Sequence, residues 1–125
     1  MTWEKRPFED LLGKTIIGIE GGVGSSWLSF ATSDAELYLM KHYESCCESV
    51  EVDDICGPIE WLLDSPILRA EERTNSDEPR NKRDDSFTWT FYELATLKGA
   101  VTIRWYGTSN GYYSEAVDFE KWVTK

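Results

Sequence analysis

The stretch SFTWTFYELATLKGAVTIRWYG, residues 86–107, decides the fold. Phe87, Trp89 and Phe91 alternate with Thr88, Thr90 and Tyr92, and Val101, Ile103 and Trp105 alternate with Thr102, Arg104 and Tyr106. A period of two is that of a pleated strand, whose successive side chains point to opposite faces. LKGA at 97–100 supplies the turn. The reading is an antiparallel hairpin with one strongly apolar face and one face of Thr, Arg and Tyr, as in a sheet covering a core on one side. Ile103 and Trp105 are expected to look inward, and Arg104 and Tyr106 toward a partner.

Working outward, KTIIGI at 14–19 and SWLSFA at 26–31 read as strands around EGGVGS, whose glycines suit a turn. AELYLMKHY at 35–43 continues the antiparallel meander. Two short helix signals follow: Asp53 caps a turn that Gly57 stops, and Pro58 opens PIEWLLD before Pro66 ends it. ILRAEER at 67–73 starts another strand. TNSDEPRNKRDD, within residues 74–85, is polar and charged and reads as a mobile loop. YYSEAVDFEKWV closes the chain as a strand or a short helix. Residues 1–11 stand apart as an N-terminal extension. The expectation is an α+β fold, a mainly antiparallel sheet with two short helices, in a single domain spanning residues 1–125. Six tryptophans exceed what one small core needs, which fits a homo-oligomer.

The formal charge of −10 disfavours polynucleotide binding, which draws on a basic surface. An acidic chain could instead block a basic enzyme directly. The sequence lacks any run near the roughly 18 apolar residues of a membrane span, and MTWEKRPFED carries charges where a signal peptide needs an apolar region. No membrane association is expected. Three cysteines, two of them adjacent, make a poor disulfide framework and point to a reducing cytoplasm, with the thiols small and buried under a sheet edge.

Catalytic and metal chemistry are both disfavoured. GGVGSS at 21–26 lacks the lysine and helix of a phosphate loop. His42, Cys46 and Cys47 would need a fourth zinc ligand, such as Cys56, and adjacent cysteines aim poorly at one ion. The single histidine has no serine nucleophile motif beside it, so no enzyme, metal or cofactor is expected. The remaining chemistry is aromatic and cationic. Phe87, Tyr106, Tyr112 and Tyr113 offer faces on which a base stacks, while Arg69 and Arg104 offer forks for phosphate. Asn110 adds a polar contact. The plainer alternative makes Phe87 core, Arg104 a cross-strand ion-pair partner and the tyrosines edge residues. Arg80, Lys82 and Arg83 in the charged loop form a candidate lid, or a solvated tip.

The strings HYESCCESVEVDDICG, SPILRAEE, SFTWTFYELAT and KGAVTIRWYGTSNGYYSEAVDF resemble the first type of phage Thoeris anti-defence proteins, over roughly residues 12–120. The resemblance implies a sponge that sequesters glyco-cyclic ADP-ribose signals made by host TIR-domain proteins, without cleaving them. Some members of that family also hold cyclic oligonucleotides at a separate site in a hexamer. On this resemblance Phe87 is the base-stacking residue and Arg69 a phosphate ligand. Leu97 stands where some relatives carry an asparagine, which removes one polar contact. Arg104, Asn110 and Tyr112 are nominated on side-chain chemistry.

Overall fold

The computed structural model describes residues 1–44 and 46–124. Its strands are β1 (Thr2–Lys5), β2 (Ile16–Glu20), β3 (Trp27–Thr32), β4 (Leu37–Lys41), β5 (Ser49–Cys56), β6 (Arg69–Asn75), β7 (Ser86–Thr96), β8 (Gly99–Ser109) and β9 (Asp118–Val123). They form two antiparallel sheets, one of five strands in the order β1-β9-β4-β3-β2 and one of four in the order β5-β8-β7-β6. Leu28, Phe30, Tyr38, Met40 and Phe119 from the first sheet meet Val52, Tyr92, Leu94, Ile103 and Trp105 from the second in one core. The two-residue period, not helical spacing, is what places these residues together.

The expected α-component is corrected. The only helical segments among the described residues are single 3-10 turns at Phe8–Leu11 and Ile59–Leu62. Asp53 does not cap a helix: SVEVDDIC forms β5, with Val50 and Val52 buried and a register shift between Val52 and Asp54. The alternation of β-branched valines with acids outweighs one capping signal. PIEWLLD gives one turn that buries Leu62. The N-terminal residues are built into the fold, because β1 pairs with β9 and Phe8 and Leu11 enter the core.

The face assignment of the first strand of the 86–107 hairpin is also corrected. Thr96 pairs with Gly99, so odd-numbered residues of β7 lie opposite even-numbered residues of β8: Trp89 with Tyr106, and Phe91 with Arg104. Thr90, Tyr92 and Leu94 therefore share the buried face with Val101, Ile103 and Trp105, and Phe87, Trp89 and Phe91 turn outward. A turn with an even number of residues dictates this parity whatever the strands' separate hydrophobicity. Gly99, with φ +146°, closes the turn, and a side chain there would lie 2.5 Å from the Trp61 ring.

The cysteines are not buried thiols. Cys46 and Cys47 are joined to each other in a disulfide, and Cys56 is exposed and free. No helix among the described residues is long and apolar enough to cross a membrane.

One surface cluster gives the fold an acid-sensitive element. Glu36 accepts a hydrogen bond from Lys121 through one oxygen, and its other oxygen lies 2.6 Å from the Lys14 ammonium. Those lysines, Lys121 first, hold its carboxyl below the ordinary value of 4.5. A carboxylate whose folded pKa is depressed stabilises the fold above its unfolded pKa, and that contribution is lost as pH falls through the folded value. Urea midpoints are therefore expected to fall as pH drops below 4.5, and Glu36→Gln should flatten that acid limb.

Candidate functional site: an aromatic and arginine cleft

The outward face of the four-stranded sheet is where the chemistry collects. Trp89 and Phe91 stand two residues apart on β7, with Arg104 opposite Phe91 on β8 and Arg73 opposite it on β6. The guanidinium of Arg104 lies 5.1 Å from the centre of the Trp89 ring, and that of Arg73 lies 4.4 Å from Phe91. Such contacts suit arginine because its planar, weakly hydrated cation stacks on ring faces.

The charged segment 76–85 lies across this face. The Trp89 Nε1–H donates to the Glu78 carbonyl at 2.7 Å. The Arg80 backbone N–H donates to the Tyr106 hydroxyl at 3.0 Å, and that hydroxyl donates to Asp84 at 2.6 Å. The Arg80 guanidinium sits 4.5 Å above the Tyr106 ring. Covered in this way, Tyr106 is only 1% exposed although it stands on the outward side of its strand. Its pKa is raised, first by burial and then by the hydrogen bond to Asp84. Between segment and sheet lies a cleft of about 420 Å³, lined by Asn75, Asp77, Glu78, Pro79, Trp89, Phe91 and Arg104. That is within the usual size of small-molecule sites.

Arg69, Arg73, Arg80 and Arg104 each already have a carboxylate. Asp53 accepts from Arg104 at 2.9 and 2.6 Å through one oxygen and from Arg80 at 3.0 Å through the other. Glu51 takes a second hydrogen bond from Arg80 at 3.1 Å, and Glu93 takes Arg69 and Arg73 at 3.0 Å each. Burial works against the Arg80 charge, but the bonds to Asp53 and Glu51 more than offset it and its pKa is raised. An anion entering the cleft would exchange with a carboxylate, not with water.

The residues nominated from the sequence do not converge on one point. Arg104 lines the cleft. Phe87 is half-buried and stacks on Tyr106 at 6.2 Å. Arg69 lies on the same face but opposite Ala95, eight residues along β7 from Phe87. At about 3.3 Å per residue that is about 26 Å, too far for one compact ligand to touch both within one copy. Asn110 and Tyr112 sit on the turn after β8, where the Asn110 side chain accepts from the Tyr112 N–H at 3.1 Å, and Tyr112 is 89% exposed. Sequence reasoning missed Trp89, Phe91 and Arg73, because the first two were assigned to the core. The even-numbered turn was the signal that would have found them.

The atoms weighed as metal ligands are engaged elsewhere. His42 Nδ1 lies 2.8 Å from the Ala116 carbonyl, and Nε2 is 3.1 Å from Glu48 Oε2, at ion-pairing distance without hydrogen-bond alignment. Cys56 Sγ points to Asp54 at 3.4 Å.

Fold and site together define a small all-β protein with a roofed aromatic and arginine cleft on one sheet. Residues 9–119 match the family described as a domain of unknown function, DUF7448, and the chain belongs to that family. No curated protein and no solved structure matches the chain.

Proposed function

We propose that the chain is a non-catalytic capture protein. It binds and sequesters a compact signal made of a base and phosphates, glyco-cyclic ADP-ribose on the sequence resemblance, and withholds it from a Thoeris effector in the cytoplasm of an infected host. Cyclic oligonucleotides are a second ligand class on the same resemblance, and the working form is a homo-oligomer, hexameric by analogy. The observation that carries this reading is the cleft itself, where the rings of Trp89 and Phe91 stand beside the fork of Arg104 under a segment anchored at both Trp89 and Tyr106.

Stacking contributes about 1–3 kcal/mol per base, and each charge-assisted hydrogen bond about 1.5–3 kcal/mol. Nanomolar capture needs about 12 kcal/mol net, so a base stack alone is not enough and the phosphates must take arginine from its carboxylates. This gives a prediction with an unusual sign. Asp53→Asn keeps the side chain's shape and removes the charge that holds Arg104, so it should tighten binding of a cyclic ADP-ribose by about five- to tenfold, roughly 1–1.4 kcal/mol. Calorimetric titration of the two proteins checks it.

Capture is separated from turnover by heating the loaded protein and chromatographing what it releases. Intact cyclic ligand is expected. Linear ADP-ribose in its place would make the protein an enzyme and remove the reading.

A second reading, an acidic inhibitor of a host defence enzyme, is favoured by one observation. Around the cleft and on the segment over it, Glu51, Asp53, Asp54, Glu71, Asp77, Glu78, Asp84, Asp85 and Glu93 outnumber Arg69, Arg73, Arg80, Lys82, Arg83 and Arg104 by nine to six. A basic protein surface would be drawn to that face.

A further inference from the structure

The turn that follows β8 holds an asparagine followed by a glycine, Asn110 and Gly111, and hydrogen bonds reach both of the atoms that react when such a pair cyclises. The Gly111 N–H donates to the Ser109 hydroxyl at 3.0 Å, and that hydroxyl donates to Glu115 Oε2 at 2.6 Å. The Asn110 amide oxygen accepts from the Tyr112 N–H at 3.1 Å. Glu115 is itself held in place, because its other oxygen accepts from the Thr88 hydroxyl of β7 at 2.8 Å, and Ser109 and Glu115 are both buried. Asn110 and Gly111 are exposed, and a Cβ on Gly111 would meet no atom within 4 Å, so the pair is open to water.

A backbone amide nitrogen becomes a nucleophile only as its proton leaves, and a base within hydrogen-bond reach is what takes that proton. Here donor and acceptor run in one direction, from the Gly111 N–H through the Ser109 hydroxyl to the Glu115 carboxylate, and 2.6 Å is the length of a hydroxyl bonded to a charged acceptor. At the other reacting group the Tyr112 N–H stands where negative charge develops on the Asn110 oxygen during attack, as the donor of an oxyanion hole does. The glycine nitrogen is also the least shielded, because no side chain stands beside it.

We propose that Asn110 is a self-modification site, which the folded chain converts to aspartate and isoaspartate. Ser109 touches the reacting nitrogen, and Glu115 acts through it. The Gly111 nitrogen bonds to Asn110 Cγ while its proton passes to Ser109 Oγ and the Ser109 proton passes to Glu115. The carbonyl π pair moves onto Oδ1 and returns as the Cγ–Nδ2 bond breaks. Nδ2 takes up a proton and leaves as ammonia, which restores the Glu115 carboxylate. Water then opens the cyclic imide. Attack at Cγ gives aspartate on an unchanged backbone, and attack at the backbone carbon gives isoaspartate. Ammonia is lost, water is gained, and nothing is oxidised or reduced. The product adds a carboxylate to a chain whose formal charge is already −10, and isoaspartate lengthens by one carbon the backbone path that joins β8 to β9.

This inference goes beyond capture of a signal and needs no ligand. The full chain is incubated folded in neutral buffer and unfolded in concentrated urea, then digested, and aspartate plus isoaspartate at positions 75, 81 and 110 is measured by mass spectrometry. Asn75 and Asn81 are internal controls: their side chains accept from the Asp77 and Arg83 N–H groups at 3.4 and 3.0 Å, but serine and lysine follow them. Asn110 is expected to convert about 100-fold faster in the folded chain than in the unfolded one, the low end of what a positioned base supplies, while the two controls do not accelerate on folding. Folded Ser109→Ala and Glu115→Gln should each lose that acceleration. Their double variant should fall no further, because the two groups act in series, and in urea all the chains should react alike. A wild type that converts Asn110 no faster folded than unfolded overturns the proposal, since the fold then shields the pair. Variants that keep the wild-type circular dichroism spectrum and the wild-type rate overturn it equally. Where a variant does not fold, the wild-type comparison alone decides.

Discussion

Trp105→Ala is expected to destabilise the fold by about 3–5 kcal/mol, as large-to-small changes at fully buried aromatics do. Trp105 is 0% exposed and lies at the middle of β8, opposite Thr90 on one side and Val52 on the other. Its removal leaves a cavity between the sheets that neighbouring side chains refill only in part. Because a domain of this size has about 5–15 kcal/mol to lose, the variant should be close to unfolding at physiological temperature. Trp105→Phe separates packing from polarity. The Trp105 Nε1–H is buried and has no acceptor among the described residues. Phenylalanine removes that donor along with some volume, so its cost should be a small fraction of the alanine cost. Urea unfolding of the two variants beside the wild type reads the difference; equal losses would mean that the indole nitrogen is satisfied in solution.

Trp89→Ala should weaken capture of a cyclic ADP-ribose about 10- to 150-fold, the loss of one base stack of roughly 1.4–3 kcal/mol. Two things fail at once in this variant. The ring that forms one wall of the cleft is gone, and so is the Nε1 donor that holds the Glu78 carbonyl and with it the covering segment. Trp89→Phe keeps a ring and loses only the anchor, so it should release ligand faster while leaving the association rate near that of the wild type. Trp89 lies outside the core, and urea midpoints should move little in either case. Phe87→Ala is the informative comparison, because the sequence resemblance implies Phe87 as the stacking residue while the cleft is lined by Trp89 and Phe91. A larger loss in Phe87→Ala than in Trp89→Ala would move the base to the Tyr106 end of the sheet.

Most strands were legible because their alternation is strong. Val101, Ile103 and Trp105 are buried as their period implies, and the hairpin of residues 86–107 forms. What failed was the step from single strands to pairs. SFTWTF has its large residues on one side and reads as a core face when taken alone, yet the partner strand and an even-numbered turn place that side outward. The threonines of the other side are thereby carried inward, where Thr90 is buried. Asp53 shows a related failure: a capping signal of a few residues was weighed without the valine alternation around it, although β5 uses Asp53 at a register shift to hold two arginines. The binding chemistry was legible by type, aromatic with arginine, but not by address. Arg69 and Phe87 are close to the right face and far from each other, because chain position along a strand says nothing of distance along a sheet until the pairing is known.

The segment 76–85 marks another limit of sequence reading. A run without apolar side chains gives no hydrophobic reason to fold onto anything. Its contacts are instead a backbone N–H, a backbone carbonyl, an aspartate, and Arg80, which lies over a tyrosine ring and pairs with Asp53 and Glu51. None of these has a periodic signature.

The proposed capture of a base-and-phosphate signal is tested most directly by isothermal titration of the wild-type protein with glyco-cyclic ADP-ribose, run beside linear ADP-ribose and a basic polypeptide. Saturable heat with the cyclic nucleotide, at submicromolar affinity, is the expected result. No heat with either nucleotide, together with tight binding of the basic polypeptide, would contradict it and leave the acidic face as the functional surface.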